Sequence, residues 1–345
     1  MELSQIAIQG AGAVSPAGWS VADLRDAALC IRSVDAPSEL AGAALRRLVR
    51  RVPAPAQRSA LSGEARLRRS SSITQFTVAA AIEAIGSDAE LVKSGLLRLG
   101  VIVCVMTGCV NYSRRFYAEA LRDPATASPL VFPETVFNAP ASHLGALLQS
   151  TSVNYTVVGD AGTFLVGLAK AADWLGNNEV DSCVVVAAEE IDWLSVQGLG
   201  LFLRGVILTE GAGALYLKKQ KESDSDVLLD SITDPHLFTS TQPRSQAIQE
   251  MRSELRTPTE HEVLITSDAG TVLSRAEREA WAECRARKLS PKVQLGESFI
   301  ASAGWQAALA YDLLARGECN AVTLSVAGLD QQAIGARFIR TPRAV

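Results

Sequence analysis

Residues 154–190 read N-Y-T-V-V-G-D-A-G-T-F-L-V-G-L-A-K-A-A-D-W-L-G-N-N-E-V-D-S-C-V-V-V-A-A-E-E. A short apolar run, 155–158, ends at Gly159. The spacing of Leu165, Leu168, Ala169, Ala172 and Leu175 then predicts a helix starting near Gly162. Gly176-Asn177-Asn178 stops it, and the unbroken apolar run 183–188 predicts a strand buried on both faces. Strand, sharp turn and helix is the geometry that presents a nucleophile at a helix N-terminus, where free N–H groups and the dipole favour an anion. The turn here is Asp160-Ala161-Gly162, and the methyl of Ala161 cannot attack anything.

Outward from this unit, the same order returns near the other end. Residues 305–328 again read as helix, turn and buried strand, with Leu175 and Leu314, Glu179 and Glu318, and Ala188 and Ala327 at one offset. Residues 263–270 likewise echo the strand and glycine turn of 99–108. Two halves with such apolar strands imply sheets covered by helices on both sides. The charged stretch 218–226 is the expected linker, dividing the chain into 1–222 and 223–345. Residues 6–10 predict an apolar strand entering a glycine turn at 10–16, and that G-x-G lacks the later glycine of a dinucleotide fingerprint. Residues 206–218 predict a further strand, with T-E-G-A-G-A at 209–214.

With 345 residues, 48% of them hydrophobic, the chain can bury a large core, and a net charge of −4 gives no support for nucleic-acid binding. No apolar segment reaches membrane-spanning length, and Met1 leads within a few residues into a strand pattern, so no signal peptide is expected. The cysteines, Cys30, Cys104, Cys109, Cys183, Cys284 and Cys319, are scattered singly and read as reduced thiols of a cytoplasmic protein. No metal or cofactor is expected. Residues 45–69 are Arg-rich and read either as a solvated segment or as a docking patch for an acidic partner.

Five segments carry a family resemblance. They are I-Q-G-A-G-A-V-S-P-A-G at 8–18, F-P-E-T-V-F-N at 132–138, E-G-A-G-A at 210–214, Lys292 followed by Gly296, and V-A-G-L-D-Q at 326–331. Together they resemble the β-ketoacyl synthases of the thiolase-like superfamily. The resemblance implies an α/β fold, a five-layered αβαβα architecture built from two fused repeats and usually dimeric. It also places Ala161 where the family has its nucleophilic cysteine, which a helix N-terminus activates. The first family histidine falls on Ser267 or Asp268, of which Asp268 is preferred. The second falls on Glu297, or on Ser298 if Ala303-Gly304 sets the alignment. None of these is histidine, and His143, His236 and His261 lie in other segments. Glu210 and Lys292 are retained family positions, expected to act as structural or electrostatic supports.

Other residues could substitute only poorly. Cys109, in a glycine turn after a strand, lacks a paired histidine and fits better as a small packed residue. Asp160 reads as a helix cap, and Asp268 as a turn aspartate or a base. The three catalytic losses together suggest a non-catalytic partner resembling chain-length factors. Such a subunit pairs with an active ketosynthase, works with an acyl carrier protein, and shapes an acyl tunnel in type II polyketide, aryl polyene or fatty-acid-like biosynthesis. Cys109, Tyr112 and Phe116 are the tunnel candidates, the two rings sharing a helix face at i, i+4. Two alternatives stand beside this reading: a divergent condensing or decarboxylating enzyme working alone, and a homodimeric carrier-protein-binding scaffold.

Overall fold

The structure, a computed structural model, describes residues 5–40, 47–55, 67–200, 203, 205–222 and 225–341. The described residues form two sets of five strands. The first runs in the order Ile6–Val14, Gly211–Lys219, Ser182–Glu189, Leu99–Val105, Asn154–Val158. The second runs Val227–Ile232, Gln332–Arg340, Ala321–Ala327, Val263–Ile265, Arg287–Leu289. In each set the first two junctions are antiparallel and the last two parallel. The offset repeat in the sequence is therefore a repeat of topology. A single residue pair, Ala7 with Leu228, joins the sets edge to edge.

Helices supply the other layers. Thr163–Gly176 and Ile300–Ala315 share one core with the facing sides of both strand sets. Outside the first set lie Ser72–Ile85 and Ala139–Leu147, and outside the second lie Arg244–Glu254 and Arg275–Ala280, each over its own apolar cluster. The result is the five-layered αβαβα stack. The strand Ser182–Glu189 is buried along its whole length, as an apolar run without alternation requires. Asn154–Val158 is instead the outer edge of its set, with Tyr155 and Val158 exposed.

Two expectations from the sequence are corrected. The glycines at 10 and 12 do not turn the chain, because the first strand continues to Val14. They let the strand pass directly beneath the helix Ser72–Ile85, where a Cβ on either glycine would overlap the carbonyl of Ala84 or Ala80. The stretch read as one strand over 206–218 is broken at Glu210. Leu208–Thr209 joins a small separate sheet, and Gly211, at φ 150°, re-enters the main one. Part of the Arg-rich segment, 45–46 and 56–66, lies outside the described residues, as do 223 and 224 of the expected linker.

Candidate functional site

The helix Thr163–Gly176 begins where the strand Asn154–Val158 ends, and Asp160-Ala161-Gly162 forms the turn between them. Ala161 is buried there. The space beside it is bounded by Met106, Lys292, Glu297, Phe299, Ala327 and Leu329, and is too narrow to hold a water molecule. The turn thus carries no nucleophile and, in this conformation, offers no room for a thioester.

Lys292 and Glu297 fill one side of that space as a fully buried ion pair, Nζ to Oε2 at 2.8 Å. Glu297 Oε1 accepts the N–H of Phe299 at 2.9 Å and the Ser302 hydroxyl at 3.3 Å. The main chain of Glu297 is also tied to the strand before Glu210: Thr209 N–H donates to its carbonyl, and its own N–H donates to Ile207. Phe299, held by Glu297, sits at φ 48° just before the helix Ile300–Ala315. That is an uncommon backbone state for a non-glycine residue. A carboxylate standing where the family resemblance expects a histidine has thus become part of a closed polar lock.

Asp160 is not the helix cap that the sequence suggests: Gly162 holds the N-cap position, and no side chain bonds the first N–H groups of the helix. Asp160 Oδ1 accepts the Gly162 N–H at 3.2 Å, Oδ2 accepts the N–H groups of Gln331 and Gln332, and the Asp160 N–H donates to the Gln331 side-chain oxygen. The aspartate therefore ties the turn at Ala161 to the loop before the last strand. Burial raises its pKa, against these hydrogen bonds.

Asp268 does not join this assembly. Its carboxylate pairs with Arg278 at 2.7 Å and accepts Gly270 N–H at 2.8 Å, the behaviour of a turn aspartate. Its neighbour Ser267 is buried, and its hydroxyl bridges the main chain of Ser325 and Ala327. Cys109 is buried against Ser71 and the Val136 carbonyl, and burial, with Glu190 nearby, pushes its thiol up to about 12. A thiol so protonated is not a nucleophile at neutral pH. Tyr112 and Phe116 lie half-buried on Val110–Arg122, a helix with no fully buried residue. Tyr112 donates its hydroxyl to the Arg69 carbonyl, and the Phe116 ring packs on Phe132 with centroids 5.3 Å apart. The histidines are all elsewhere: His143 on Glu134, His236 between Glu250 and Glu254, and His261 on the surface beside Glu260.

Sequence reasoning missed a row of buried acids. Glu189 ends the strand Ser182–Glu189, Glu190 and Asp192 follow it, and Glu210 lies beside them. Glu190 accepts N–H groups from the first turns of two helices, Ile73 at 3.1 Å and Asn111 at 2.9 Å, where the helix dipoles favour it. Glu210 pairs with Arg51 at 2.9 Å and Asp192 with Arg114 at 2.6 Å. The signal in the sequence was E-E-I-D standing directly after an apolar run, where side chains cannot reach water without leaving the sheet.

Burial pushes the Glu189 carboxyl up from 4.5 to about 7, although Met106 and Thr107 donate to it. The folded chain then holds a proton that the unfolded chain releases between those values. Its stabilising effect is complete below about pH 4.5 and is lost as the pH rises through about 7. Denaturant titrations should show stability falling by on the order of 1–3 kcal/mol between pH 5 and 8, with a shallower fall in Glu189→Gln. Identical slopes in the two proteins would contradict this assignment.

No protein-family model and no curated protein matches the chain. Solved structures do. The ishigamide ketosynthase/chain length factor superposes with a TM-score of 0.81 at 17% identity, covering 98% of this chain and 100% of that one. A type II PKS acyl-carrier protein in complex with its ketosynthase bound to the hexaketide gives 0.80 at 15%, covering 98% and 99%. A ketosynthase in complex with its chain length factor from Xenorhabdus doucetiae gives 0.76 at 14%, covering 98% of each chain. Likeness at this identity over nearly the full length shows that the fold is the thiolase-like fold of ketosynthases. Among the described residues, no helix is long and apolar enough to cross a membrane.

Proposed function

We propose that this chain is a non-catalytic, ketosynthase-like subunit similar to chain-length factors. In this reading it pairs with an active β-ketoacyl-ACP synthase, works on chains carried by an acyl carrier protein, and shapes the acyl tunnel of the pair. The observation that carries the reading is the turn at Ala161, which has no nucleophile, no histidine beside it and a buried Lys292–Glu297 pair closing the space. Two of the similar structures are described as ketosynthase with chain length factor, and one as ketosynthase with carrier protein.

The surface supports pairing. The edge strand Asn154–Val158 leaves one backbone side open, with Tyr155 and Val158 exposed. Val158 is in register with Val105, whose strand leads into the helix Val110–Arg122. On and beside that helix Tyr117, Leu121, Leu130 and Phe132 are each more than half exposed. An open strand edge flanked by large apolar side chains is a surface that a partner covers. Val158→Lys with Leu121→Lys should leave the melting curve within about 0.5 kcal/mol of wild type, since both side chains are exposed, and should abolish co-elution with a co-expressed ketosynthase. Undiminished co-elution would remove this surface from the account.

A further inference from the structure

A second cavity, of about 400 Å³, lies between the helix Arg275–Ala280, the strand Arg287–Leu289 and the helix Pro291–Leu295. No residue lining it lines the space at Ala161. Its apolar walls include Trp281, Leu289 and Val293. Glu277 also lines it and is only 1% exposed. Glu277 Oε1 is occupied, accepting the Ser267 N–H at 3.1 Å and the Ser325 hydroxyl at 2.5 Å. Its Oε2 is buried and, among the described residues, has no hydrogen-bond partner. A buried carboxyl oxygen left unpaired is costly, and a ligand that donates to it recovers that loss.

The surrounding charges narrow the ligand. Burial pushes the Glu277 carboxyl up to about 7, against the opposing pull of Lys292 and Arg244, and a neutral hydroxyl can bond to its Oε2 in either protonation state. At the mouth, Lys288 is exposed and gives one ammonium proton to the Trp281 carbonyl at 2.6 Å, leaving two free. Arg278 stands beside it, its charge partly met by Asp268. The mouth is therefore net positive and suits a carboxylate.

We propose that this cavity binds a small hydroxy-carboxylate with an apolar or aromatic body. The hydroxyl donates to Glu277 Oε2, the body lies against Trp281, Leu289 and Val293, and the carboxylate faces Lys288 and Arg278. The inference is independent of whether the chain pairs with a ketosynthase.

The test uses 3-(4-hydroxyphenyl)propanoate and 3-phenylpropanoate as probes, titrated calorimetrically into the full chain. The hydroxylated acid should bind saturably, and the acid lacking the hydroxyl should bind roughly tenfold more weakly. Val293→Trp fills the cavity from a position 54% exposed, so folding is retained, and it should abolish binding of both. Glu277→Gln should remove the preference for the hydroxyl. Failure of the hydroxylated acid to saturate below ~10 mM, equal affinity for the two acids, or unchanged binding by Val293→Trp would each overturn the proposal.

Discussion

Gly213→Ala should destabilise the fold by about 3 kcal/mol or more in denaturant titrations, the upper range for overpacking. Gly213 lies on the strand Gly211–Lys219 and meets Gly304 of the helix Ile300–Ala315 backbone to backbone. A Cβ on Gly304 would stand 2.7 Å from the Gly213 carbonyl oxygen, and one on Gly213 would overlap the Gly304 carbonyl carbon. The helix cannot slide away to make room. Trp305, the next residue, donates its indole N–H to the carbonyls of Val14 at 2.9 Å and Ala212 at 3.0 Å, and its side chain is completely buried. Moving the helix would break those bonds and open the layer shared by both halves. The control is Gly198→Ala, on a helix with no atom within 4 Å of the added methyl, which should be neutral or stabilising by up to about 1 kcal/mol. Equal effects at Gly213 and Gly198 would show that the close approach does not govern the packing.

The second large effect belongs to the ion pair beside Ala161. Lys292→Met alone leaves the Glu297 carboxylate buried without its cation, a change worth about 3–5 kcal/mol of stability. Lys292→Met combined with Glu297→Gln removes both charges. The glutamine can still accept the Phe299 N–H or the Ser302 hydroxyl, the two groups that bond to Glu297 Oε1. The double variant should therefore recover most of the loss. This non-additivity is the signature of a pair that closes the site rather than of two independent supports. A double variant as unstable as the sum of the singles would contradict it.

Much of this architecture was legible before the structure. The 154–190 stretch carries its strand, turn and helix in apolar spacing alone, and the offset between 175–188 and 314–327 marks two like halves. The glycines were the harder signal. At 10, 12 and 213 they serve close approach between a strand and a helix from another part of the chain, which local sequence cannot distinguish from a turn. Of the site, Ala161, Lys292 and Glu297 share one space, while Asp268 faces Arg278 elsewhere. Glu189, Glu190, Asp192 and Glu277 escaped notice because acids read as solvated by default. Only the tertiary fold shows that Glu190 stands at two helix starts.

The most direct measurement of the central claim is acyl extension with malonyl-loaded carrier protein, run with a partner ketosynthase alone, this chain alone, and the two co-purified. The account predicts elongated product only from the co-purified pair, and a shifted chain length when Phe116→Ala enlarges the proposed tunnel. Turnover by this chain alone would contradict the reading of Ala161 as a lost nucleophile and return Cys109 to consideration.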